Sequence, residues 1–362
     1  MVALSEPSPH SLSNQARPLD RRILARRLSV LLVGLLAIAV VVNLALGASD
    51  ISLWGALGKF LSGEELTTLE RVVLWDIRLP RIILCVLVGA ALAVSGAVMQ
   101  GLFRNPLADP GLVGVGAGAG LGAIISIVLG GLLPVGLQSL FGSYVTPIAA
   151  FVGGWGSTLV LYRVSTRGGR TSVATMLLAG IALGALAGAV SGILVYMADD
   201  QQLRDLTFWS MGSLAGATWE KSMIAGPVIL LAIAGSTWLA HGLNCLALGE
   251  AAAAHMGIPV QRMKNAAIFS VAAATGVAVA ATGGIGFVGI VVPHVLRLAT
   301  GPDHGTLLPN AALLGGALLL GADLISRTII APAELPIGIV TAVLGAPVFL
   351  WILLKRRGLV DQ

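Results

Sequence analysis

From Ile82 to Phe103 the chain runs 22 residues without a charged side chain, and Arg81 and Arg104 stand at the two ends. A helix of about 20 apolar residues crosses the ~30 Å hydrocarbon core of a bilayer. No water is available there, so every backbone N–H and C=O must be satisfied internally, which leaves helices or closed barrels. The run is continuous, whereas barrel strands alternate between lipid-facing and lumen-facing residues. A helix is the reading. Comparable runs recur near 28–47, 111–131, 144–162, 173–197, 223–241, 265–283, 285–300, 307–328 and 336–354. The fold class is therefore an all-α membrane protein with about ten transmembrane helices. Composition agrees, with 56% hydrophobic and 11% charged residues against the ~25% charge usual in soluble domains.

Ten spans place both termini on one side. Of the 22 Lys and Arg residues, 15 fall on the side of the termini and 7 on the other, so the termini are expected to be cytoplasmic. The same clustering in loops explains the net charge of +5 without nucleic acid as a partner. Residues 1–25, rich in Ser, Pro and Arg, read as a disordered cytoplasmic tail. Residues 26–362 read as a single transmembrane domain. The first apolar run, about 19 residues, exceeds the ~7–15 of a signal peptide. Cys85 and Cys245 are far apart in sequence and suggest neither a disulfide nor a metal site.

Two glycine ladders stand out. Gly114, Gly118 and Gly122 recur every fourth residue, as do Gly180, Gly184, Gly188 and Gly192. On a helix this spacing gives a smooth face that admits another backbone. Tight packing within the chain and a face that slides during transport both fit the spacing. Breakers gather in "RNPLADPG" (104–111) and in "GGIGFVGIVVPH" (283–294), where four glycines precede Pro293. Interrupted helices at membrane depth are tolerated where they line a cavity, so the eighth span is a candidate pathway wall.

Catalytic motifs are missing. There is no G-x-x-x-x-G-K-[ST] to cradle ATP phosphates and no H-E-x-x-H or G-x-S-x-G. The histidines (His10, His241, His255, His294 and His304) are scattered, and helix capping or loop hydrogen bonding suits them better than metal. Asp323 and Arg327 are four residues apart on the ninth span and can form a local ion pair. So few acidic groups at mid-depth argue against a self-powered, ion-coupled carrier, the alternative of a different class.

Five blocks carry a resemblance. They are "RLPR" (78–81), "SGAVMQGLFRNPLADPGLVG" (95–114), "LALGEAAAAHMGIP" (246–259), "GGIGFVGIVVPHVLR" (283–297) and "ELPIGIVTAVLGAPVFLWILL" (334–354). In this order they resemble the permease subunits of ATP-driven type II ABC importers for ferric siderophores, haem and vitamin B12. The likeness covers the chain from about residue 28. It implies a ten-helix subunit of a homodimer in the bacterial inner membrane, with two cytoplasmic ATPase subunits below and a periplasmic binding protein above. The subunit itself would be no enzyme and hold no resident cofactor, with ATP used by the partner.

The resemblance also assigns residues. The coupling segment falls at about 243–262, with Gly249, Glu250, His255 and Gly257 as ATPase contacts. Arg78, Arg81 and Arg327 would face carboxylates of the docking protein, with interfacial snorkelling as the other reading. "LRDLTFWSMGSL" (203–214) looks most like haem-importing members, ahead of those for siderophores or vitamin B12. Arg204 would meet an anionic substrate in a vestibule, or pair locally with Asp200 or Asp205. The glycine face of the fifth span (Gly180, Gly184, Gly188, Gly192) would line the pathway. One departure is Gly305, where family members commonly carry Arg after "DH".

The charge asymmetry makes a prediction. A fluorescent protein fused after Gln362 is expected to glow and a periplasm-dependent phosphatase there to stay silent; the opposite pattern would invert the topology.

Overall fold

A computed structural model describes residues 18–47, 51–168 and 170–360. In chain order the helices are α1 (Pro18–Ala45), α2 (Leu53–Ser62), α3 (Thr68–Arg71), α4 (Leu79–Leu102), α5 (Val115–Leu129), α6 (Val135–Phe141), α7 (Val145–Ser165) and α8 (Val173–Met197). There follow α9 (Asp200–Met211), α10 (Trp219–Trp238), α11 (Ala240–Leu246), α12 (Glu250–His255), α13 (Val260–Thr282), α14 (Val288–Thr300), α15 (His304–Thr328) and α16 (Ile337–Val360). A two-stranded antiparallel hairpin, β1 (Thr166–Arg167) and β2 (Arg170–Thr171), joins α7 to α8.

The ten expected spans fall on α1, α4, α5, α7, α8, α10, α13, α14, α15 and α16. Eight of these segments are long and apolar enough to cross a membrane, and two, Val288–Thr300 and Ile337–Trp351, are shorter. The first span starts earlier than expected. Pro18 sits at the first position of α1, where its fixed φ suits a helix start, so residues 18–25 are helix and not tail. Ala25, only 1% exposed, is held there: its carbonyl accepts from Ser29 Oγ at 3.0 Å and from Asn310 Nδ2 of α15 at 3.4 Å. Residues 1–17 of the expected tail lie outside the described residues. The second span also gains a lead-in, because α3 and a π-helical turn, Val72–Arg78, run directly into α4.

α4 is the centre of the bundle. It packs against α15, α13, α10 and α14, and from Val88 to Leu102 every residue is buried. Glycine sets these contacts. A Cβ on Gly89 would run into the backbone of Gly315 on α15, and one on Gly96 into Gly289 on α14. The α5–α7 contact is built in the same manner: a Cβ on Gly118 would strike Gly153 and one on Gly122 would strike Ala149. Lipid is as apolar as Leu, so span association rests on such close van der Waals contact.

The two ladders therefore have different fates. Gly118 and Gly122 are spent inside the chain. A Cβ on Gly184, Gly188 or Gly192 of α8 would meet nothing within 4 Å, and the neighbouring Leu178, Ile181, Leu186 and Ile193 are exposed.

The contrast predicts opposite mutational outcomes in thermal unfolding of detergent-purified protein. Gly89→Val should lose about 3 kcal/mol through overpacking. Gly188→Ala should be neutral or gain up to ~1 kcal/mol of helix propensity. Equal effects would dissolve the distinction.

Candidate functional site

At one end of the bundle, the guanidinium of Arg81 forks between two carboxylates. Its Nε and Nη2 donate to Asp323 at 2.8–3.1 Å, and Nη1 and Nη2 donate to Glu334 at 2.8 and 2.9 Å. Arg327 Nε lies 3.5 Å from Asp323 Oδ2, the expected i,i+4 ion pair, though without a hydrogen bond. Its Nη2 instead reaches Asn43, at 2.9 Å to the carbonyl and 2.7 Å to Oδ1. Arg78 Nη1 donates to the Leu44 carbonyl at 2.5 Å. Arg81 thus meets both carboxylates, while Arg78 and Arg327 also reach the last carbonyls of α1, the negative end of that helix.

This corrects the docking assignment. Arg78, Arg81 and Arg327 are 3%, 6% and 6% exposed and turn inward, so their surfaces are not open to a partner. The carboxylates that Arg81 and Arg327 face belong to their own chain. Snorkelling fails for the same reason. Planar bidentate pairing suits Arg to this work. The cluster ties α1, α4, α15 and the 330–336 loop together.

At the opposite end, α11 and α12 occupy the expected coupling segment. Gly249 (φ 109°) and Gly257 (φ 82°) bracket α12 in left-handed backbone conformations. Glu250, Ala251, Ala254, His255 and Met256 are exposed, and His255 Nδ1 stays 2.7 Å from the Ala251 carbonyl. Beneath them, buried Lys264 of α13 reaches Glu250 Oε1 at 2.7 Å and the Thr171 carbonyl of the hairpin at 3.0 Å. Gln261 Nε2 adds a bond to Thr171 Oγ1 at 2.6 Å. Asn244 of α11 donates to Asp303 at 2.7 Å and accepts from the His304 N–H at 2.9 Å. Gly305 sits in the first turn of α15, its N–H capped by Asp303 at 3.0 Å. Arg104 ends α4 with φ 50°, as "RNP" implied.

Between the two ends, a cavity of about 460 Å³ lies under α9. Leu92, Asp109, Trp209, Ser210, Thr275 and Phe287 line it, and α14 begins beside it at Phe287 (φ 68°). The start of the interrupted eighth span thus lines this cavity. Thr275 Oγ1 is buried without a partner. Burial raises the Asp109 carboxyl above the ordinary range, against a hydrogen bond from Gly111 N that lowers it. Arg204 of α9 is exposed and forms no ion pair among the described residues, so the local pairs to Asp200 and Asp205 are not made.

Sequence reasoning missed Glu334, Asn43, Lys264, Asp109 and Thr275. Glu334 stood inside a quoted block, and a buried guanidinium needs more anion than one i,i+4 carboxylate provides. That imbalance was the available signal. No group of three metal-binding side chains occurs among the described residues.

Removing one partner of a buried pair leaves a bare charge, at about 3–5 kcal/mol. Arg81→Met should therefore destabilise the purified chain on that scale, and adding Asp323→Leu to it should recover part of the loss. A double variant worse than the single would contradict the assigned pairing.

Comparison with known proteins gives a consistent picture. The FecCD transport family matches residues 35–355. The hemin transport system permease protein HmuU of Yersinia pestis is 45% identical over 332 residues, 90% of this chain and 96% of its own. The vitamin B12 import system permease protein BtuC of Shigella boydii is 43% identical over 89% of this chain and 93% of its own. Among solved structures, an inward-facing conformation of a metal-chelate type ABC transporter superposes with a TM-score of 0.80 at 32% identity, covering 91% of this chain and 99% of that one. With eight spanning helices and two shorter apolar ones among the described residues, and a family match over residues 35–355, the chain belongs to the FecCD transport family of membrane permeases.

Proposed function

We propose that the chain is the membrane subunit of an ATP-driven importer that carries haem from a periplasmic binding protein into the cytoplasm by alternating access. The 45% identity to a hemin permease across 90% of the chain carries this reading. Vitamin B12 is the second reading, since a B12 permease follows at 43%. Ferric siderophores are a third cargo within the type II importer architecture. The assembly is a homodimer in the bacterial inner membrane, both termini cytoplasmic, with two ATPase subunits bound at the α11–α12 end. The open glycine face of α8, which meets nothing in its own chain, suits the two-fold axis and the pathway along it.

The division of labour follows from the residues. Lacking a phosphate cradle, the chain must receive its energy mechanically. An exposed short helix seated in a partner's groove is a known binding mode, and α12 offers Glu250 and His255 between two turning points, Gly249 and Gly257. Glu250 also holds Lys264, so a push on α12 is felt by α13. At the other end, Arg204 supplies an unpaired guanidinium for an anionic cargo, and guanidinium pairs well with the propionates that haem carries.

Reconstitution of the permease with an ATPase subunit and a binding protein tests both layers. Hemin should accumulate in proteoliposomes only with ATP, and cobalamin should not. Gly257→Val, strained at φ 82°, should keep ATP hydrolysis while uptake falls at least about tenfold. Uptake by the permease alone, driven by an ion gradient, would replace the importer with a self-powered carrier.

A further inference from the structure

A second cavity, of about 400 Å³, lies between α6, α7, α10 and α13, away from the one beneath α9. Its size falls within the range of small-molecule sites. Phe141, Ile148, Phe151, Ile224, Val228 and Ala281 form an apolar wall, and Lys221 is the one charged residue in the lining. Lys221 is the third residue of α10, close to the end of the span. Val228 lies seven residues further along, about 10 Å deeper at 1.5 Å per residue. The cavity therefore runs from headgroup level into the hydrocarbon. Leu140 and Ile224 on its lips are 72% and 59% exposed, so it opens sideways, towards the bilayer.

Lys221 gives this groove its polarity. Its ammonium donates to the Gly216 carbonyl at 2.7 Å and has no acidic partner among the described residues. An ammonium has three N–H groups, and a half-buried cation at a membrane interface is stabilised by an anion at the same depth. The surrounding medium provides one in every glycerophospholipid: a phosphodiester at headgroup level with an acyl chain below it. The wall and the cation are arranged in that same order.

We propose that this groove binds one glycerophospholipid, with an acyl chain laid between α7 and α10 and the phosphodiester on the Lys221 ammonium. The site is independent of cargo and of the partner subunits. Its occupant would brace α10 and α13 against α7.

Native mass spectrometry of the full-length purified protein tests it, with dioleoylphosphatidylglycerol and dioleoylglycerol as probes that share acyl chains and differ in the phosphate. The wild type should retain the phospholipid at least fivefold more strongly than the diacylglycerol. Lys221→Ala should abolish that preference. Val228→Trp, which fills the groove from an exposed position, should weaken retention of both lipids. Leu231→Trp, exposed but outside the cavity lining, should behave as wild type. Wild-type retention in Val228→Trp, equal loss in Leu231→Trp, or an undiminished preference in Lys221→Ala would each overturn the site.

Discussion

Between spans immersed in lipid, burial of apolar side chains offers little net attraction, because the lipid tails are equally apolar. Cohesion must come from surfaces close enough for dense dispersion contact. Here that closeness is reached where α4 crosses α15 at Gly89 and Gly315 and crosses α14 at Gly96 and Gly289. The positions of α10 and α13 around α4 follow from this centre, and so does the cavity between α13, α14 and α9.

Polar anchoring is reserved for the two ends. The Arg81–Asp323–Glu334 cluster joins α4, α15 and the 330–336 loop at one end, where Arg78 and Arg327 add α1, and Lys264 gathers α12, α13 and the hairpin at the other. Ionic groups are expensive in the hydrocarbon, so placing them at the ends limits the cost of desolvation. The arrangement also separates roles. The ends define how the helices are joined, while the glycine-lined middle permits close approach.

Much of the fold was legible because a membrane imposes one simple demand. Uncharged runs of about twenty residues have few alternatives, and the spans appeared where those runs lie. Short interfacial helices were less legible. α9 falls between two expected spans and was not expected as a helix, although Asp199 and Gln202 form a capping box at its start, a signal the sequence carried. The docking arginines were misplaced for a deeper reason. Sequence shows that Arg81 is charged but not which way it points, and its partner Asp323 is 242 positions away. The ladders on α5 and α8 share one spacing. Only the presence of Gly153 and Ala149 on α7 distinguishes a filled face from an open one.

Consider α13 as a piece of mechanical hardware. Its 23 residues make a rod of about 34 Å. One tip is bolted through Lys264 to the short helix at 250–255 and to the hairpin; at the other, the Thr282 carbonyl holds Ser213 N at 2.7 Å, just past α9. Tied at both tips, α13 links the short helix and hairpin of one membrane face to the turn at Ser213 on the other, so neither end shifts along the helix axis without the other.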